Sequence, residues 1–263
     1  MDYLILCLTA LVASGLTLFS GFGLGTLLLP ALALLFPLPV AVAATALVHL
    51  ANNLFKLALL GRSAVWPVVR QFALPAAAAA LLGAWLLGLL AAMPPLFSYS
   101  LGPRPAQVSL VKLVIGLLIL GFAWLELMPS LEERLRPVGQ HLALGGLLSG
   151  FFGGLSGHQG AFRAAFLLRA GLEKEAFVAT GVACAVLVDC ARLMVYGQGL
   201  WRGHLDLLAQ AGGLPKVVAA CLAAFLGAYL GKRLLGKITM RAVRLTVAVM
   251  MGLVGLALAA GLV

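Results

Sequence analysis

The sequence specifies an all-α integral membrane protein, and three observations carry this. Of its 263 residues 63% are hydrophobic and only 10% charged, with a mean hydropathy of +1.12, where a soluble domain carries roughly 25% charge. The apolar runs are about as long as the roughly 20 residues a helix needs to cross a hydrocarbon core. Lys and Arg gather mostly at the ends of those runs, as membrane topology requires. The formal charge of +10 would suggest nucleic acid in a soluble protein; here it is a topological signal, so no nucleic-acid partner is expected. Cys7, Cys184, Cys190 and Cys221 lie inside apolar runs without metal or redox spacing, and are read as packing residues.

Eight elements follow in order: about 3–36, 40–60, 67–92, 107–127, 139–170, 174–196, 205–232 and 241–262. The first has only Asp2 before it, no Lys or Arg, and runs on past Gly15 to Phe36; it is expected to be a membrane element and not a cleaved signal. It is too long for one straight span and is interrupted by GFGLG at 21–25. The second carries His49, Asn52, Asn53 and Lys56 at i, i+3, i+4 and i+7, one helical face that protein or water must line. The third and fourth are plain apolar spans, closed by a polar stretch, 128–140, with Pro129, Glu132, Glu133, Arg134, Arg136 and Pro137. The fifth is again too long and is interrupted by GGLSGHQG at 153–160. The sixth holds Asp189 and Arg192 three apart, and the seventh and eighth complete the chain.

The polar stretch divides the molecule into a first transmembrane repeat at 1–127, a linker at 128–138 and a second repeat at 139–263. One shift of 135 carries Gly25 onto Gly160, Ala41 onto Ala176, Thr45 onto Thr180 and Trp66 onto Trp201. Shifts of 140 and 144 match Leu74-Pro75 with Leu214-Pro215 and LGAW at 82–85 with LGAY at 226–229. Four elements in each half predict parallel repeats, unless a broken element turns back and changes the parity. On the parallel reading nine basic residues (Arg104, Lys112, Arg169, Lys174, Lys232, Arg233, Lys237, Arg241, Arg244) share a face. Six (Arg62, Arg70, Arg134, Arg136, Arg202, Lys216) lie opposite with both termini. The positive-inside rule then puts the termini outside a cell (inner) membrane.

Three basic residues remain inside apolar elements: Lys56, Arg163 and Arg192. A charge at the bilayer centre costs about 3 kcal/mol, so such groups face a cavity or a partner. Each has a structural account too: Asn52 and Asn53 as helix cross-links, Lys56 snorkelling to headgroups, and Asp189 with Arg192 as a neutralised pair. A shift of 136 lays that pair over Asn53 and Lys56. The glycine breaks point further towards chemistry. A helix restarted at mid-membrane presents unpaired N–H groups and a positive dipole end, which suit an anion. Such freed backbone is tolerated only where protein or a cavity surrounds it. Gly25-Thr26 and Gly160-Ala161 would open the half-helices, with His158, Gln159 and Arg163 adding donors and charge. Close helix packing through small residues is the other use of such glycines, and it gives Arg163 no role.

With those residues in view a resemblance can be stated. GFGLGTLLLPALALLFPLPVAVAATALV and its counterpart GLSGHQGAFRAAFLLRAGLEKEAFVATGV resemble the duplicated signature of the TauE/SafE family, the sulfite exporter or toluene sulfonate uptake permeases. The resemblance extends over nearly the whole chain. It implies a secondary transporter of small anions such as sulfite, sulfoacetate or other organosulfonates, with the 21–30 and 157–163 stretches as substrate-site segments. The expected substrate-binding residues are therefore Gly21, Gly23, Gly25, Thr26, His49, Asn52, Asn53, Lys56, Gly157, His158, Gln159, Gly160, Arg163, Asp189 and Arg192. His49, His158 and Asp189 are the candidates for coupling to protons. Family members more often carry a denser glycine run at the first break, where this chain has Phe22 and Leu24.

Other classes are weighed against this one. His49 and Asn53 reproduce HxxxN, and Gly154 to Gly157 reproduces GxSG, two motifs of rhomboid intramembrane proteases. The catalytic histidine should then come from a later helix, yet only His158 and His204 follow Ser156. A helical scaffold without transport is the third class, and a homodimer is compatible with it and with transport. No P-loop, metal triad or flavin fingerprint is present, so no cofactor, no metal and no enzymatic activity are expected. The bilayer, a small anion and protons are the expected partners.

Overall fold

The computed structural model describes residues 2–20, 24–101, 104–128, 141–199, 213–234 and 240–262. The described residues form α1 (Asp2–Ser20), α2 (Gly25–Ala33), α3 (Leu38–Leu60), α4 (Trp66–Ala91), β1 (Pro95–Leu101), β2 (Arg104–Ser109) and α5 (Leu110–Leu127). The second half has α6 (Leu142–Ser156), α7 (Gly160–Leu167), α8 (Lys174–Gly199), α9 (Gly213–Leu234) and α10 (Met240–Ala259). Among the described residues four helical stretches, Leu38–Ser63, Trp66–Ala91, Lys174–Gln198 and Gly213–Gly231, are long and apolar enough to cross a membrane, and four shorter ones are apolar. Large apolar side chains such as Leu8, Leu74, Met194 and Leu222 point outwards, which suits lipid and not water.

Local sequence sets the boundaries. Pro39 and Pro67 sit in the first turns of α3 and α4, where a missing amide costs no helical hydrogen bond. Ser109 caps α5, accepting from the Lys112 amide at 3.4 Å. Gly157, at φ +82°, ends α6 in the left-handed conformation that only glycine adopts without strain.

A two-stranded β-hairpin joins α4 to α5 in the otherwise helical fold, where the sequence suggests a plain connection over 93–106. Phe97, Tyr99 and Leu101 alternate with Ser98 and Ser100, the two-residue period of a strand. The strands pair antiparallel, Tyr99 opposite Ala106. The hairpin packs on the end of α10, with the Tyr99 hydroxyl donating to the Ala260 carbonyl at 2.6 Å and the Gln107 amide to that of Gly261 at 3.2 Å.

Helix directions follow from which residues touch, taking the hairpin to mark one end of the molecule. Lys216 lies 3.2 Å from Asp2 and also over the Phe36 ring, so α1 starts and α2 finishes at the same end. At the other end Ser63 bonds Glu175 at 3.1 Å, and the Val65 amide bonds Thr180 at 3.0 Å. The α6–α7 pair turns back in the same manner: a Cβ on Gly145, near the start of α6, would overlap Phe166, near the end of α7. Both interrupted elements are thus helical hairpins, one entering from each end.

This overturns the parallel arrangement of halves. Each half reads as a helical hairpin followed by three long helices, but α3 and α8 run antiparallel, with His49 beside Asp189 and Ser63 beside Glu175. The cause is the reversal of the chain at each break, which changes the parity of everything after it. The charge map changes with it: Arg62 and Arg70 stand at the same end as Arg169 and Lys174, not opposite them.

The halves interlock through backbone. Gly146, Gly150 and Gly154 of α6 lie against the carbonyls of Phe72, Ala76 and Ala80 of α4, so closely that a Cβ at any of them would overlap. On the other side Gly227 and Gly231 of α9 lie against Leu11 and Gly15 of α1. These pairs run parallel, which lets a four-residue glycine spacing hold backbone to backbone over several turns.

Candidate functional site

Both breaks arrive at the centre together. A Cβ on Gly25, the first residue of α2, would stand 3.5 Å from the Gly157 carbonyl and 3.3 Å from the Thr45 methyl. The tip of one helical hairpin therefore meets the tip of the other. The opening amides of α7, at Gly160, Ala161 and Phe162, have no carbonyl four residues earlier within the helix and carry its positive dipole end.

Around these tips lies a buried polar cluster. Asp189 of α8 has no exposed surface, and both its oxygens are in use. Oδ2 takes His49 Nδ1 at 2.6 Å and Asn53 Nδ2 at 3.0 Å, both from α3. Oδ1 accepts from Gln159 Nε2 at 2.9 Å and from Arg192 Nε at 3.0 Å, and Arg192 Nη2 lies 2.7 Å from it as an ion pair. The short His49 contact to an ionised carboxylate requires the proton on Nδ1, so the Asn53 amide, 3.0 Å from that nitrogen as well, donates to Asp189 and not to His49. Gln159 then passes the network on: its Oε1 accepts from Arg163 Nη1 at 3.1 Å. Arg192 Nη1 donates to the Gly153 carbonyl at 3.3 Å and the Tyr196 hydroxyl to that of Gly154, tying α8 to the last turn of α6. The Ser149 hydroxyl holds the Gln159 carbonyl at 2.8 Å and fixes the tip from below.

The charge balance of this cluster is one-sided. Among the described residues the buried Lys, Arg, Asp and Glu side chains are Lys56, Arg163 and Arg192 against Asp189, three cations to one carboxylate and a formal excess of two. Arg192 is paired with Asp189. Lys56 is 5% exposed and has no carboxylate partner among the described residues, and the Arg163 guanidinium donates to the neutral Gln159. These two cations lie within range of mutual repulsion.

Not every expected residue joins the cluster. His49, Asn53, Gln159, Arg163, Asp189 and Arg192 are brought together, and Gly25, Gly157 and Gly160 form the tips around them. Asn52 instead accepts from Ser14 of α1 at 3.1 Å, the helix cross-link of its structural account. His158 stacks on Phe122 with ring centroids 5.4 Å apart, and its Nδ1 faces the Ser156 carbonyl at 2.9 Å. Lys56 is too deeply covered to snorkel. Gly21 and Gly23 lie outside the described residues, as does the Thr26 side chain. The sequence reading missed Ser149 and Tyr196. Tyr196 lies seven residues after Asp189 and four after Arg192, so the helical spacing of that pair marks it.

The protease motifs do not assemble. His49 and Asn53 are bound to Asp189, while the buried Ser156 hydroxyl donates to the Phe152 carbonyl at 3.1 Å. His158 Nδ1 lies 3.2 Å from that hydroxyl, but it donates its own proton to the Ser156 carbonyl and cannot act there as a base.

A cavity of about 550 Å³ adjoins the cluster, lined by Pro39 and Ala43 of α3, Trp85 and Gly88 of α4, and Tyr196 and Gln198 of α8. It lies on the side of the β-hairpin and holds none of the buried charges. Tyr196, one turn beyond Arg192, belongs to both cavity and cluster.

No curated protein and no solved structure matches this chain. A family model does, over residues 6–258 of 263, which include every member of the cluster and both glycine breaks: by that match the chain belongs to the sulfite exporter TauE/SafE family.

Proposed function

We propose that this protein is a secondary transporter, acting as an exporter, of a small oxyanion such as sulfite, sulfoacetate or another organosulfonate. Family membership gives the coarser assignment, a membrane transporter of the sulfite or sulfonate exporter type acting on a small anion in a lipid bilayer. The observation that carries the finer reading is the buried excess of two positive charges where the helical hairpins meet. Burying a charge without a counterion is costly, and a substrate anion between Arg163, Lys56 and Arg192 offsets that cost. The N-termini of α2 and α7 add unpaired amides to the same place. Transport is by alternating access around this centre, with 1–127 and 139–263 as inverted repeats and the hairpin tips as the moving parts. His49, hydrogen-bonded to Asp189, is the group placed to couple the cycle to protons.

The orientation follows from the basic residues. Among the described residues eight (Arg62, Arg70, Arg169, Lys174, Lys232, Arg233, Arg241, Arg244) belong to the end away from the β-hairpin and three (Arg104, Lys112, Lys216) to the hairpin end. The positive-inside rule assigns the richer end to the cytoplasm and both termini to the outer face of the inner membrane.

The test is flux in proteoliposomes, with sulfite, sulfoacetate, sulfate and acetate offered in turn to wild type and to Arg163→Ala. Selective flux of a sulfur oxyanion, reduced at least about tenfold in the variant (1.4 kcal/mol per decade), is expected. Flux of no anion in wild type would refute the transporter reading, and undiminished flux in the variant would remove Arg163 from the site.

A further inference from the structure

We propose that the Asp189 carboxylate is a built-in stand-in for the transported anion, competing with it for the donors of Arg192 and Gln159. The inference rests on the reading of the cluster as an anion site.

Asp189 is an anion held by donors that several segments supply. Two coplanar oxygens on one atom meet donors from three separate segments: His49 and Asn53 on α3, Gln159 at the hairpin tip, and Arg192 on α8. A sulfite or sulfonate group presents oxygens of the same kind, and guanidinium and amide N–H donors recognise either. The Arg192 Nε–H and the Gln159 N–H that Asp189 holds cannot serve a second anion at the same time. Gln159 is the hinge of the competition because its amide also accepts from Arg163. When Asp189 holds Gln159 Nε2, the tip of the α6–α7 hairpin is latched to α8. An anion drawn to Arg163 and Arg192 takes over the Gln159 amide and releases that latch.

The tether decides the energetics. A carboxylate fixed on α8 is always present at its donors, so an incoming anion binds only to the fraction of molecules in which Asp189 has turned away. The apparent affinity falls by that fraction. A competitor of this kind keeps a strongly cationic cluster from trapping its substrate, and it couples occupancy to movement of the tip. An ion pair serving stability alone predicts the opposite, because removing Asp189 would then disorder Arg192 and weaken any anion site built on it.

The experiment is calorimetric titration of the purified full-length protein in detergent with sulfite, kept anaerobic, and with methanesulfonate. Asp189→Asn should bind both at least tenfold more tightly than wild type. Asp189→Glu, which retains a competing charge, should stay within about threefold of wild type. Asn53→Leu removes one donor from Oδ2 and leaves Arg192 and Gln159 untouched, and it should tighten binding about threefold. It also serves if Asp189→Asn does not fold. Unchanged or weaker binding in Asp189→Asn, or in Asn53→Leu where only that variant folds, overturns the competition while leaving the anion site in place. No binding by wild type or any variant removes the anion-site reading itself, and this one with it.

Discussion

Gly157 shows at a single residue how the centre is held. Its φ of +82° costs any side-chain-bearing residue about 1–2 kcal/mol, and a Cβ there would lie 3.2 Å from Arg192 Nη1. Gly157→Ala should therefore lower thermal stability in detergent by a few degrees and reduce flux more than stability, because the displaced group is the guanidinium that holds Asp189. Equal loss of both would mean that Gly157 is only a helix stop. At this scale most of the cluster was legible, since His49, Asn53, Asp189, Arg163 and Arg192 are residue types that an apolar helix does not carry without reason. Ser149 and Tyr196 were not, because a hydroxyl in a membrane helix finds a backbone carbonyl easily and marks nothing by its presence. Neither could spacing show that Asn52 turns to Ser14 while Asn53, one residue on, turns to Asp189; 100° of helix separates them, and both still fall within one broad face.

Among elements the α4–α6 contact is the one that positions the second break. Gly146, Gly150 and Gly154 let α6 lie on the backbone of α4, which sets the depth at which α6 ends and the tip begins. Gly150→Leu places a side chain into the Ala76 carbonyl, and overpacking of this sort costs about 1–3 kcal/mol or more where backbone cannot yield. The variant should aggregate on extraction, while Gly88→Leu on α4, where an added Cβ meets nothing within 4 Å, should extract and run as wild type. Comparable behaviour of the two would show that the helices do not meet at Gly150. The positions of both interruptions were readable from the glycine clusters, but the direction of the chain beyond them was not. An apolar run, a short glycine stretch and a second apolar run read the same whether the second helix continues or returns. Only contacts distant from the breaks tell the two apart: Lys216 with Asp2 and Phe36 for the first, and Gly145 with Phe166 for the second. The β-hairpin was missed for another reason: its alternation of Phe97, Tyr99 and Leu101 with serines is brief, and lies between much stronger apolar signals.

For the whole molecule the two reversals decide everything else. Each helical hairpin shifts the parity of the helices that follow, so α3 and α8 run antiparallel and the tips meet from opposite ends at one centre. At that centre α3 and α8 meet through His49 and Asp189. The nine-to-six division of basic residues was weak because it was counted on the wrong parity; counted on the observed one, the described residues divide eight to three. Topology can therefore be tested without any substrate. In a background lacking Cys7, Cys184, Cys190 and Cys221, Ser63→Cys combined with Glu175→Cys should be joined by a short bifunctional thiol crosslinker, since the native side chains are 3.1 Å apart. The linked peptide pair is detected by mass spectrometry. In intact cells an impermeant thiol reagent should label Ser98→Cys in the hairpin and leave both of those positions unlabelled. With eight crossings and parallel halves, positions 63 and 175 would face opposite sides of a hydrocarbon core about 30 Å thick. A missing crosslink together with labelling of one of the pair would restore that arrangement and dissolve the shared centre.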